Sequence, residues 1–381
     1  MAERGSWGLI LALWAAGLGA AAQYGKLSVI YDLLPGLYPG EAARLGWAVS
    51  LVGAVGIALG VVAGLLVARI GYRRALLGGL WLGAAVSAVQ ALAPPLGWLL
   101  ASRVVEGASH LAIVVAAPTL IAATATDRQR PVALTLWGTF FGVAFALIAL
   151  VGRPLASAWG VPALFAAHAA IMALLALLLA PRLEPLGQDR PAPPRAAELL
   201  SIHARLYRSP RLAAAGLGWL FYTFCFVSLL TLLPPLLDPE AAARVQTFAP
   251  LAAILVSMTL GVALLRRFTA VRVTELGFAL SALAALWLLL QPGAAPAIAV
   301  IGLMGLVQGA SFAVVPELNA DPADRALGNG AMAQMGNLGN TLGTPVIAAV
   351  FLGAGYGGMI GAVALALALG AALHLWLAAR R

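Results

Sequence analysis

The chain has 381 residues, 62% of them hydrophobic and only 10% charged, and 23 basic against 14 acidic side chains give a formal net charge of +9. A soluble domain is about half apolar and about a quarter charged, so no soluble fold of this length hides so much apolar surface, and lipid must be its solvent. One cysteine excludes an intrachain disulfide, and no zinc-ligand spacing is present.

The first apolar run contains "LGAAAQ" (18–23), which offers a signal-peptidase-like site. The run continues to Leu34, longer than a signal peptide's apolar region, so it reads as a membrane span. Twelve such runs follow one another: 7–34, 45–68, 75–93, 97–124, 132–152, 161–181, 211–236, 246–265, 273–291, 294–317, 329–352 and 358–378. Each is near the roughly 20 residues that a helix needs to cross the hydrocarbon core. The predicted fold class is all-α integral membrane protein, with twelve transmembrane helices.

The arginines orient it. With the N-terminus in the cytoplasm, 18 of the 22 arginines fall in inner segments: Arg4, Arg69, Arg73, Arg74, Arg128, Arg130, Arg182, Arg190, Arg195, Arg205, Arg208, Arg211, Arg266, Arg267, Arg272, Arg325, Arg380 and Arg381. Only Arg44, Arg153 and Arg244 fall outside. This bias follows the positive-inside rule and puts both termini in the cytoplasm. It also explains the basic balance without nucleic acid as a partner. Lys26, the only lysine, and Arg103 are the two basic residues within spans.

The long inner segment 181–211 is proline-rich and basic and reads as a flexible tether. Within it, "AAELLSIHARLYR" has the pattern of a short amphipathic helix on the membrane surface. The tether divides the chain into an N-terminal six-helix bundle (1–181), a cytoplasmic linker (182–210) and a C-terminal six-helix bundle (211–381). The halves repeat: Pro35 matches Pro234 at a spacing of 199, Arg69 matches Arg266 at 197, and Gly107 matches Gly309 at 202. Two parallel halves with a binding site between them is a recurrent transporter plan.

The motifs carry a resemblance. "GLLVARIGYRR" (64–74) is similar to the loop between helices two and three of the major facilitator superfamily, G-x-x-x-D-R-x-G-R-R. Gly64, Arg69, Gly71, Arg73 and Arg74 fit it, and Ala68 stands where the family has an acid. "RVVEG" (103–107) resembles the fourth-helix pattern R-x-x-Q-G, with Glu106 for glutamine. The first span resembles D-x8-P, and counting back nine from Pro35 gives Lys26 in place of aspartate. The fifth span, "WGTFFGVAFALIALVG", has Gly138 and Gly142 but no Gly-Pro pair like that of the family's antiporters. The resemblance implies two pseudo-symmetric bundles, a central cavity lined by helices one, four, seven and ten, and a conformational role for the motif loop.

Within those helices, Lys26 lies nine residues below Pro35 and Glu106 nine below Gly97, which predicts similar depth and a meeting across the contact of helices one and four. Arg103, Glu106 and His110 are spaced by three and four and share one helix face. Intramembrane charges are functional candidates by default. The alternatives are a structural Lys26–Glu106 pair, or Lys26 reaching outward. On a helical wheel Tyr24, Ser28, Tyr31 and Asp32 lie nearly opposite Lys26, and only Gln23 lies near it. Two cations against one carboxylate suit an anionic or zwitterionic organic substrate. Glu106 is the first candidate proton carrier and His110 the second. The repeat partners are Cys225 for Lys26 and Gln308 for Glu106, so the C-terminal half is uncharged at both places. There Tyr222, Cys225, Gln308, Asn337 and Asn340, with Tyr31 from the first half, are the candidate substrate contacts. The C-terminal aromatics Phe221, Phe224 and Phe226 read mainly as lipid-facing filling.

The expected function is secondary transport of a small organic anion or zwitterion by alternating access, coupled to protons as a symporter. The expected setting is the inner (cytoplasmic) membrane, as a monomer in lipid, with no cofactor, no enzymatic activity and no bound metal. No G-x-x-x-x-G-K-[ST] loop is present to bind ATP. The alternatives are proton-driven efflux of lipophilic drugs, a non-transporting sensor or assembly factor, and copper transport through Cys225, His110 and scattered methionines.

Overall fold

A computed structural model describes residues 7–184 and 196–381. Arg4, Arg190 and Arg195, three of the arginines that orient the chain, lie outside the described residues, as does the proline-rich stretch 185–195 of the linker. Among the described residues every regular element is helical. Ten segments are long and apolar enough to cross a membrane. The longest, Asp324–Ala378, is two helices joined at Gly355, whose φ of 65° breaks the winding. Tyr72–Gln90 is a further helix of 19 residues, less apolar because it carries Arg73, Arg74, Ser87 and Gln90.

Residues cluster by contact into two units. The first comprises residues 1–30 and 62–193. Its core packs Ile10, Leu13, Ala16 and Ala20 of the first span (Trp7–Ser28) with residues of three other helices. These are Leu76 and Leu80 of the third span (Tyr72–Gln90), Ile113 and Ala117 of the fourth (Leu96–Thr124), and Met172 and Ala176 of the sixth (Val161–Leu179). Small residues let these backbones approach closely, which is how helices associate where lipid removes the hydrophobic drive.

Two helix ends differ from the sequence pattern. The first span stops at Ser28 rather than Leu34, and the chain continues through a 3-10 turn, Tyr31–Leu33. Leu34 and Pro35 then open a further short helix, Leu34–Leu37. Tyr31 and Asp32 therefore lie off the helix whose wheel they were placed on. The fifth span runs on to Trp159 instead of 152, through a π-turn at Ile148–Gly152, and ends at Gly160 with φ 85°. Pro154 has no N–H for an ordinary helical bond, and a π-turn is a common local answer. Arg153, assigned to an outer loop, sits in this helix and donates to the Val29 carbonyl at 2.8 Å, satisfying the frayed end of the first span.

The second unit comprises residues 31–61 and 194–381. Residues 42–61 of the second span run along the eleventh, and glycines set the distance. A Cβ on Gly46 would come within 2.8 Å of the Pro345 Cα, and one on Gly60 within 2.8 Å of the Gln334 Cα. In the linker, Ala196–Arg208 is a helix rather than a tether, and it is docked. Leu206 is wholly buried with Leu212 and Ala331. Tyr207 donates to Gln334 Oε1 at 2.6 Å, and burial pushes its phenol up to about 12, so it remains a donor. Gln334 donates in turn to the Ile57 carbonyl at 2.8 Å, and Arg205 pairs with Asp324 at 2.5 Å. One glutamine thus ties the linker helix to the second and eleventh spans.

Candidate functional site

Lys26, Arg103 and Glu106, the wholly buried charged residues described in the first unit, converge on one point. Lys26 is near the end of the first span and wholly buried, where an unpaired ammonium is strongly disfavoured. Its three N–H groups each find an acceptor: Glu106 Oε1 at 2.6 Å, Gln90 Oε1 at 2.7 Å and Ser87 Oγ at 2.8 Å. A lysine has no more donors than that. The ring of Phe165, from the sixth span, lies 5.4 Å from Nζ and adds a cation–π contact.

Glu106 is held as completely. Its Oε2 accepts from the Arg103 guanidinium, one helical turn away on the same helix, and from Gln90 Nε2 at 2.9 Å. The second arm of Arg103 donates to the Gln23 carbonyl of the first span at 2.5 Å. Gln23 reaches the other way with its amide, to Ser109 Oγ at 2.8 Å, and Ser109 donates to the Gly79 carbonyl at 2.7 Å. Gln23, Lys26, Ser87, Gln90, Arg103 and Glu106 have no solvent exposure at all. Two cations and one carboxylate leave the cluster with one excess positive charge.

His168 of the sixth span completes it. Its Nδ1 lies 2.7 Å from Ser87 Oγ and its Nε2 lies 3.0 Å from the Gly19 carbonyl. Ser87, Gln90 and His168 were not singled out from the sequence, because they stand alone in apolar runs of the third and sixth spans. Ser87 and Gln90 are three apart and so share a face, which was the available signal. His110 lies nearby but apart: its Nδ1 faces the Ala20 carbonyl at 3.0 Å and its ring meets Tyr24 edge-on at 5.2 Å.

The motif loop divides by residue. Gly71, at φ 92°, ends the second span and opens the third, a conformation that favours glycine. Arg73 caps the sixth span, donating to the Ala180 and Leu183 carbonyls at 2.8 Å each. Gly64, Arg69 and Arg74 are exposed.

In the second unit the candidate residues are dispersed among uncharged neighbours. Tyr222 is buried in an aromatic stack, 4.4 Å from Trp219 and 5.3 Å from Phe226 between ring centres. Trp219 also meets the exposed Phe312 edge-on. Cys225 is buried with its thiol 3.9 Å from the Val363 carbonyl. Asn337 donates to the Ala333 carbonyl of its own helix at 2.7 Å and packs on Gly56. Gln308, Asn340 and Tyr31 are partly buried.

Known proteins share this architecture. Over 163 residues the chain is 28% identical to the inner membrane transport protein YajR of Escherichia coli (strain K12), a match spanning 43% of this chain and 35% of YajR. This chain thus spans about a third of that relative's length. Crystal structures of a bacterial homolog to the human lysosomal transporter Spinster superpose on 97% of the chain. The inward-facing, unoccupied form does so with 17% identity, 94% of its own chain and a TM-score of 0.70. The inward-facing, occupied form does so with 16% identity, 96% of its own chain and a TM-score of 0.74. These structures show a shared fold. The family model described as Major Facilitator Superfamily matches residues 9–315, and the chain belongs to that superfamily of multi-pass membrane transporters.

Proposed function

We propose that this chain is a proton-coupled secondary transporter of a small organic anion or zwitterion, working by alternating access as a twelve-span monomer with both termini in the cytoplasm. The cytoplasmic membrane is its setting, as the name of the similar E. coli protein suggests. The observation that carries the reading is the wholly buried Lys26–Glu106–Arg103 cluster with its excess positive charge. A substrate carboxylate has the same chemistry as Glu106. It competes for Lys26 and Arg103, takes their charge-assisted hydrogen bonds, and leaves Glu106 free to accept a proton. The coupling is then an exchange of carboxylates on shared cations. Gly71 and Arg73 hold the loop between the second and third spans while this happens.

The second unit, uncharged at Cys225 and Gln308, favours a further feature. Trp219, Tyr222 and Phe226 form a continuous aromatic stack with Phe312 exposed beside it. That supports a substrate with an apolar body, and it is also what an exporter of lipophilic compounds would need.

A ligand panel separates the two readings. Purified protein is melted with mono- and dicarboxylates, amino acids, lipophilic amines and neutral drugs, since a ligand that binds the folded state raises Tm. The anion reading expects carboxylates to stabilise the wild type and to lose that effect in Lys26→Met. Stabilisation by lipophilic amines alone, unchanged in Lys26→Met, contradicts it and favours efflux.

A further inference from the structure

The second span is not wound evenly. It runs as Ala42–Ser50, a 3-10 turn Leu51–Gly53, a helix Ala54–Leu59, a second 3-10 turn Gly60–Val62, and a helix Ala63–Ile70. Gly60 followed by the β-branched Val61 and Val62 is poor helix-forming sequence, and a stretch of 3-10 within a helix often marks a hinge. The boundary between the units falls at the same place: residues 31–61 belong to the second and residues 62–193 to the first. The earlier turn, Leu51–Gly53, lies wholly inside the second unit. Gly60–Val62 is therefore both the weakly wound point of the span and the point where it passes from one unit to the other.

The linker helix Ala196–Arg208 is fastened to that turn. A carbonyl only accepts, so the 2.8 Å contact with the Ile57 oxygen turns Nε2 of the Gln334 amide toward the second span. The other Nε2 hydrogen faces His203 Nε2 at 3.3 Å, whose lone pair receives it. Gln334 Oε1 takes the Tyr207 hydroxyl hydrogen at 2.6 Å. One amide thus makes one bond to the residue three before Gly60 and two to the linker helix. Packing follows the same path. Val61, in the middle of the turn, packs with Tyr207 on the cluster of Leu206, Leu212 and Ala331. A Cβ on Gly330 would lie 3.1 Å from the Val61 carbonyl oxygen, so the eleventh span also presses directly on the turn.

We propose that the linker helix is a strap over the hinge of the second span: docked, it holds the Gly60–Val62 turn, and movement of the hinge requires its release. The inference goes beyond the transport reading and needs only a transporter that changes shape, whatever it carries. The strap is reversible because few contacts make it. They are the hydrogen bonds of one amide, the buried Leu206, and the Arg205–Asp324 pair, which is largely exposed and contributes little. A hydrogen bond of ordinary net strength changes an equilibrium constant by roughly two- to tenfold. Losing one therefore loosens the strap by an amount that can be measured without unfolding the bundle.

Amide hydrogen exchange of the full chain in lipid nanodiscs reads the strap without a substrate. Tyr207→Phe is the mildest change, since it removes one hydrogen bond and keeps the ring. It should speed exchange in the linker helix and at residues 60–63 by the same factor, roughly two- to tenfold, because the two open together. Leu206→Ala should give larger factors, again equal in the two segments. Arg205→Ala should change neither by more than about twofold. Amides of the ninth span, Ala270–Leu290, serve as the reference and should keep their wild-type rates. Faster exchange in the linker helix alone overturns the proposal, since the helix would then be docked without holding the turn. Unchanged exchange in both segments of both Tyr207→Phe and Leu206→Ala overturns it as well. So does an equal acceleration in the ninth span, which would mean a general loosening of the fold in place of a strap.

Discussion

Lys26 and Cys225 each stand nine residues before a proline, at a spacing of 199, and Gly19 and Gly218 stand at the same spacing. Each lies beside a histidine: the Gly19 carbonyl meets Nε2 of His168, and the open face of Gly218 lies against Nε2 of His374. The sixth and twelfth spans thus each bring a histidine to this glycine. What surrounds it differs. In the first unit His168 joins Ser87, Lys26, Gln90, Glu106 and Arg103 in a saturated polar network. In the second, His374 is wholly buried beside the Phe278 ring at 6.1 Å, and neither of its nitrogens has a hydrogen-bond partner among the described residues. Glycine is a demand of the histidine's packing at Gly218, where a Cβ would meet the ring, whereas at Gly19 a Cβ would meet Met172. Charge is an addition made in one copy only, at positions where the other copy keeps Cys225 and Gln308. A costly feature present in one of two equivalent places points to function more strongly than its burial alone would.

The largest effect should come from Glu106→Gln, which strands two buried cations and should cost about 3–5 kcal/mol. Gln308→Ala, the corresponding change in the second unit, should cost less than about 1 kcal/mol, since it removes no charge pair. Melting curves in detergent compare the two directly, and equal losses would break the comparison between the units. Lys26→Met should be milder than Glu106→Gln, because it leaves a neutral Arg103–Glu106 pair. The acceptors left at Ser87 and Gln90 put its cost at about 1–3 kcal/mol, and a greater loss than that of Glu106→Gln would reverse the charge argument. Gly218→Ala drives a methyl into the rigid His374 ring, and overpacking of that kind costs about 1–3 kcal/mol. At Gly19 the nearest atom to an added Cβ is Met172 Sδ at 2.6 Å, on a flexible chain that can move. Gly19→Ala should therefore be better tolerated, and a smaller loss at Gly218 would count against a packing demand there. Tyr207→Phe should also be small, since it removes one bond to the uncharged hub Gln334 and about 0.5–1.5 kcal/mol. It should appear as faster amide exchange confined to the linker helix and the spans it touches; unaltered exchange would mean that the helix is not docked by that bond.

Much of this was legible in the sequence, and the reasons are physical. Counting nine residues from Pro35 and from Gly97 put Lys26 and Glu106 at one depth, and they meet at 2.6 Å. The i, i+3 spacing put Arg103 beside the same carboxylate. Ser87, Gln90 and His168 escaped notice because a lone polar residue in an apolar run looks the same whether it faces a neighbouring hydroxyl or a buried ammonium. The matched pairs Gly19–Gly218 and His168–His374 would have drawn attention to the sixth span. Arg73 could not be read as a cap, since its acceptors are backbone carbonyls that bear no sequence signature. The linker helix was visible as an amphipathic pattern, but its partner Gln334 lies more than a hundred residues away in sequence.

The most direct test of the cluster as an exchange site is proton movement itself. Proteoliposomes holding a pH-sensitive dye are given the carboxylate that stabilises the protein in the melting panel. The account predicts that protons enter with that carboxylate through the wild type, and that Lys26→Met, still folded by its melting curve, carries neither. Equal proton entry through Lys26→Met would contradict it.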